Sequence, residues 1–193
     1  MKGALALAPL LLACSTPPRT TTPSPRFTLE IHSQPVGVIY QTPDLEQRLR
    51  QGGGGPVALT LGSSDVSRAV IGPAPSDLIE LHLTEPASAR FRQVVPRFSE
   101  TLPFRVRVDG RELFSGVLYT AIGAAAIQSP VLHAADESPT QVVLVIGARQ
   151  GAAYGMSSDE AARRIDRPEL RAALGSKLEQ QSSRVTWQWQ AGR

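Results

Sequence analysis

The chain has 193 residues, 41% of them apolar but only 5% aromatic, with a formal charge of +3 and one cysteine. That length is one domain's worth, or one domain plus a small appendage, and its core must be built mostly from Val, Leu, Ile and Ala. The charge is too mild for a nucleic-acid binder, which shows a concentrated basic face, and a lone cysteine excludes a disulfide framework.

Met1–Cys14, MKGALALAPLLLAC, reads as an export signal. Lys2 is the short positive start and Ala4–Leu12 the apolar run, which is far short of the ~20 residues needed to span a bilayer. Leu11-Leu12-Ala13-Cys14 resembles a lipobox, the site at which bacterial lipoproteins are acylated on the thiol and cut before the cysteine. The competing reading is an ordinary secretory signal with Cys14 incidental. Against it, Cys14 stands where the apolar run ends, and it has no disulfide partner. The expectation is a signal peptide over 1–13 and a Cys14 carrying diacylglycerol and palmitate. Ser15 rather than Asp follows the cysteine, which in Gram-negative sorting leans toward the periplasmic face of the outer membrane.

Residues 14–26 are then the lipidated cysteine and a Pro/Ser/Thr tether, STPPRTTTPSPR, extended at about 3.1 Å per residue where it takes the polyproline II form. Residues 27–193 are expected to form a single domain. Phe27, Leu29 and Ile31 alternate with polar residues and predict a half-buried strand over 27–32. A second strand is expected over Val36–Tyr40. Thr42-Pro43-Asp44 marks a helix start, with Leu45 and Leu49 on one face and an end by Gly52. Gly52–Gly55 is read as a loop, because a phosphate loop needs Lys-Ser/Thr after its glycines and here Pro56 and a strand over Val57–Leu61 follow.

Val66–Ile71 and Leu78–Leu83 read as strands with a bend at Ala74-Pro75-Ser76. In the second, Leu78, Glu80 and His82 alternate with Ile79, Leu81 and Leu83. Thr84 is expected to cap a helix reaching about Val95, with Ala87, Phe91, Val94 and Phe98 at helical spacing and Pro96 ending it. Phe104–Val108 predicts a strand with Phe104, Val106 and Val108 toward the core and Arg105 and Arg107 toward water. Asp109-Gly110 suits a tight hairpin turn, and Glu112–Tyr119 is the return strand. Ala121–Ser129 is read either as a close-packed turn of helix or as a loop against the sheet.

Val131–His133 is expected to pair briefly, Asp136–Thr140 to turn, and Gln141–Ile146 to form a hydrophobic strand. Ser157 and Glu160 form a capping box for a short helix to Ile165. A second helix restarts at Asp166, Pro168 and Glu169 and runs to about Gln181, with Leu170, Leu174 and Leu178 as its stripe. Val185, Trp187 and Trp189 alternate with polar residues and predict a terminal strand. The fold class is α+β: a mostly antiparallel sheet with helices packed on one face.

Chemistry is sparsely signalled. His32, His82 and His133 are the only histidines, each on a different predicted element and in no metal-ligand spacing. No metal and no cofactor is expected. No Gly-x-Ser-x-Gly elbow occurs, Ser63-Ser64-Asp65 reads as a loop, and Asp136-Glu137 and Asp159-Glu160 sit where turns and helix starts account for them. Catalytic residues are therefore expected to be none. Arg105, Arg107 and Arg111 form the candidate binding surface, a basic strip for anionic lipid or peptidoglycan. The plainer reading is a solvated strand face.

The stretches LIELHLTEPASARF and FRVRVDGREL resemble the periplasmic head subdomain of SecD, the accessory protein of bacterial protein export. GMSSDEAARRI is similar to that family's later glycine-then-helix element, so the resemblance spans 78–165. The segment between Leu113 and Gly155 is longer than the family's, and Ser115-Gly116 stands where the family has Ala-Pro. What the resemblance implies is an α+β head, not translocation, because fold does not carry function. Two readings of function follow. One is a lipid-tethered, non-enzymatic binding or assembly module of the cell envelope, with an envelope protein or peptidoglycan as partner and no nucleic acid. The other is an envelope hydrolase or small-ligand carrier with a pocket that no motif announces.

Overall fold

The computed structural model describes residues 25–36, 53–95, 101–119, 129–148 and 158–180, together with residues 45, 47–49 and 51. Cys14, most of the tether, the strand expected over Val36–Tyr40 beyond its first residue, residues 121–128, and the C-terminal stretch with Trp187 and Trp189 lie outside the described residues. No helix among the described residues is long and apolar enough to cross a membrane.

Nine strands are described: β1 (Phe27–His32), β2 (Val57–Gly62), β3 (Val66–Ile71), β4 (Leu78–Leu83), β5 (Leu102–Val108), β6 (Arg111–Leu118), β7 (Val131–Asp136), β8 (Val142–Gly147) and β9 (Leu178–Gln180). The helices are α1 (Glu85–Val94), α2 (Ser158–Ile165) and α3 (Pro168–Leu174), with a further helical stretch that includes Leu45 and residues 47–49. The strands join in the order β2-β1-β5-β6-β7-β8-β4-β3-β9, a mixed sheet curled into a half-barrel. Most neighbours are antiparallel. The parallel pairs are β6–β7 and β3–β9, and β6–β7 has the long connection a parallel pair requires.

The inner face follows the period-two pattern of the sequence. Leu29 and Ile31 of β1, Phe104 and Val106 of β5, Ile79 and Leu81 of β4, and Leu144 and Ile146 of β8 are all fully or almost fully buried in one cluster. Ala87 and Phe91 of α1, Ala161 and Ile165 of α2, and Leu170 and Leu174 of α3 complete that cluster. The tight turn between β5 and β6 has Asp109 at φ 51° and Gly110 at φ 78°, as an Asp-Gly hairpin requires.

The mostly antiparallel sheet is as expected, but the described residues do not show the helices packed on one face of it. Leu45 and Leu49 pack with Val36, Val117 and Val131 in a separate cluster. Val117 points to the opposite side from Leu118, a member of the inner core, so the Leu45 stretch covers the outer face. The reason lies in the strands themselves. β6 is buried continuously from Phe114 to Leu118 and β4 from Ile79 to Leu83, as strands are when both faces are covered.

Other expectations are corrected locally. The second C-terminal helix does not reach Gln181. It ends at Leu174, a 3-10 turn spans Gly175–Lys177, and Leu178 lies in β9 beside Ala69 of β3 rather than on a helical stripe. Thr84 precedes α1 without a side-chain capping bond; its carbonyl accepts from the Ser88 N–H at 2.8 Å. Val94 is exposed and Val95 is buried in its place. β7 runs on to Asp136, fully paired with β8. Asp166 serves as a clip rather than a cap: its carboxylate accepts from the Ser76 N–H at 2.8 Å and from Arg171 Nε at 2.5 Å. Arg171 also donates to the Gly72 carbonyl at 2.8 Å, so the α2–α3 junction is tied to the β3–β4 loop. That carboxylate holds the Arg171 guanidinium above its ordinary pKa.

Candidate functional site

Alternation along β4 sends Ile79, Leu81 and Leu83 inward and leaves Glu80 and His82 on the outer face, where each is only 5% exposed. Charged residues are seldom buried unless paired. The pairing is supplied from two further elements. Arg68 stands opposite His82 in the β3–β4 register, and Glu137 follows directly after β7.

His82 Nδ1 lies 2.7 Å from Glu137 Oε2, and its Nε2 lies 2.9 Å from Arg68 Nη2 and 3.6 Å from Glu80 Oε2. A carboxylate can only accept, so Nδ1–H donates to Glu137. Arg68 Nη2 also lies 3.3 Å from Nδ1, so the guanidinium rests against the face of the ring and not in line with the Nε2 lone pair. Arg68 Nη2 also approaches Glu137 Oε1 at 3.8 Å, and Nη1 reaches Glu179 Oε2 of β9 at 3.3 Å. One guanidinium thus sits among an imidazole and two carboxylates from separate elements. The Ser67 hydroxyl beside it donates to the His82 carbonyl at 2.9 Å, so it is directed to the backbone and not to the ring.

The space between Glu137 and Glu179, where a cation would be drawn, is taken by Arg68. Among the described residues no three His, Cys, Asp or Glu side chains are placed to hold a metal ion.

The three arginines of the expected basic strip are placed unequally. Arg105 and Arg107 do share the outer face of β5, but they do not stand free in water. Arg107 Nε lies 3.3 Å from Glu30 Oε2 of β1, and Arg105 Nε lies 3.7 Å from Glu112 Oε2 of β6. Arg105 Nη2 also reaches the Leu49 carbonyl at 3.5 Å, under the helical stretch that covers this face. Their side chains are 20% and 29% exposed. Arg111 lies at the start of β6, exposed beside the turn. The strip is therefore a row of partly buried ion pairs with one exposed arginine at its end.

The other two histidines lie away from the cluster. His32 Nδ1 is 2.9 Å from the Gly55 carbonyl, against the glycine loop, and its Nε2 is buried without a hydrogen-bond partner. His133, on β7, is held below its ordinary pKa by burial, opposed by a hydrogen bond with the Tyr119 backbone. Cys14 lies outside the described residues.

No family model, no curated protein and no solved structure matches this chain.

Glu137 and Arg68 are the members of the cluster that sequence reasoning missed. Glu137 had been accounted for by its turn, and its partner is 55 positions away. The one available signal was the pair Glu80 and His82 on alternate positions of an otherwise apolar strand, LIELHL. A charged residue there predicts a partner without saying which.

Proposed function

We propose that this chain is a lipoprotein of the cell envelope, tethered to membrane lipid through an acylated Cys14, whose domain is a non-enzymatic binding or assembly module. The observation that carries the reading is the placement of the only cysteine at the end of the short apolar run, in Leu11-Leu12-Ala13-Cys14. The domain supports it through the use it makes of its charges. Arg68, Arg105, Arg107 and Arg171 each lie against a carboxylate of the same domain. The β4–α1–β5–β6 run stands in the order in which the SecD-like pattern sets strand, helix, strand and return strand, which supports an envelope module at the level of fold alone. The partner would be an envelope protein or peptidoglycan, met at the exposed end of the strip near Arg111, on the periplasmic face of the outer membrane in a Gram-negative cell.

One observation favours the rival, an envelope hydrolase or small-ligand carrier. A buried imidazole between two carboxylates, as His82 is between Glu137 and Glu80, is an arrangement that can serve general acid–base chemistry.

Labelling cells with radioactive palmitate and fractionating them tests the tether. The wild type should incorporate label and pellet with membranes, and Cys14→Ala should do neither. A Cys14→Ala protein that still pellets after a salt wash, or a wild type without label, would overturn the reading.

A further inference from the structure

We propose that β2 is the docking edge for the chain's own C-terminal stretch, with Arg184–Gln190 lying as a strand between β2 and β9 and closing the half-barrel. β2 and β9 are the two ends of the sheet. Among the described residues each pairs on one side only, β2 with β1 and β9 with β3. The two ends are close at one corner, because β2 passes into β3 through the 3-10 turn Ser63–Asp65. Gly62 and Val66 are therefore within about 14 Å of each other, and a strand lying between two edges needs them about 10 Å apart. β9 covers β3 at Ala69–Ile71, so beside Val66 the edge that faces β2 is β3 itself.

Direction and length fit that place. β3 and β9 both run away from the corner, and β9 ends with Gln180 beside Ile71. β2 runs toward the corner from Val57. The chain therefore leaves β9 at the end of the sheet where β2 begins, and there Val57 is left 44% exposed. Residues 181–193 follow directly. Gln181-Ser182-Ser183 is enough for a turn, and Arg184–Gln190 extended covers about 23 Å against about 20 Å for β2. The returning strand is antiparallel to β9 and parallel to β2. Val185, Trp187 and Trp189 then join Leu59 and Leu61 on the inner side, with Thr186, Gln188 and Gln190 outside. The edge itself is open to pairing. VALTLG carries no charge and no proline, the usual protections of an exposed edge, and its one irregularity is the register shift opposite Ile31 and His32. The Gly62 N–H donates to Asp65 Oδ2 at 2.8 Å and not to β1. Alternation along an antiparallel pair turns the Thr60 N–H the same way, to the free edge.

Amide exchange and NOE measurements on the purified full chain in detergent test this. The Thr60 amide should be protected by about 10-fold or more over its intrinsic rate, the scale of one backbone hydrogen bond. An indole proton of Trp187 or Trp189, the chain's only tryptophans, should show an NOE to the Leu59 or Leu61 methyls. In a chain ending at Ser183, Thr60 protection should fall about 10-fold relative to that of Leu61, whose amide is turned toward β1. If the shortened chain does not fold, the full-chain measurements decide alone. A Thr60 amide that exchanges at its intrinsic rate in the full chain, indoles without contact to β2, or Thr60 protection unchanged by the truncation would overturn the docking. Protection that rises with protein concentration and survives truncation assigns the edge to a second copy of the chain and overturns it as well.

Discussion

Gly116 lies directly beneath the ring of Phe104: a β-carbon on Gly116 would meet the ring's Cε1 and Cζ at 2.6 Å and the Pro130 carbonyl oxygen closer still. The two residues are register partners across β5 and β6, and Phe104 is fully buried with its ring edge-on to Phe114, centroids 6.4 Å apart. The Pro130 carbonyl is not free to retreat, because it accepts from the Val117 N–H at 3.0 Å where β7 joins the sheet. Gly116→Ala should therefore cost about 3 kcal/mol, the upper range for overpacking a close-packed core. In a chain of this size that is a fall in melting temperature of roughly 6–12 °C. A midpoint within about 1 °C of wild type would show that ring and backbone can move apart.

The hairpin separates a conformational effect from a packing effect. No atom lies within 4 Å of a β-carbon built on Gly110, yet its φ of 78° suits glycine and not a β-branched residue. Gly110→Val should cost about 1–3 kcal/mol through the backbone alone. Val106 on the adjoining strand is fully buried in the inner cluster. Val106→Asp buries an unpaired charge and should be the more damaging of the two. Thermal melts of both variants decide the order. An unchanged midpoint for Val106→Asp would contradict the inward assignment of that face.

These two sites mark what was legible in the chain and what was not. The β5–β6 hairpin could be read because every position carries its own local signal: alternation in Phe104–Val108, then Asp-Gly, then the return. The same alternation placed Arg105 and Arg107 on the face opposite Phe104 correctly, but it could not show what else occupies that face. Glu30, Glu112 and the Leu49 carbonyl come from other elements and meet the two arginines only in the folded sheet. β9 was read as helix because Leu178 falls four after Leu174, and a three-residue strand has no period of its own to oppose that spacing. Glu137 sits in the turn where it was expected, and Asp166, expected to open a helix, lies just before one. Their roles come from partners 55 and 90 positions away, a relation that no local pattern encodes.

His133 supplies the pH dependence of the fold as a whole. Burial holds its pKa below the ordinary histidine value, against the opposing hydrogen bond with the Tyr119 backbone. The folded state therefore takes up this proton less readily than the unfolded chain. Above about pH 6.5 both states are neutral at this ring and its contribution is fully present. As pH falls from there toward the depressed folded value, the unfolded chain binds the proton first and stability declines. Urea unfolding between about pH 7.5 and about pH 5.5 should show that decline, and His133→Gln, which has no proton to gain, should flatten it. A His133→Gln protein with the full wild-type slope would move the acid sensitivity to another group.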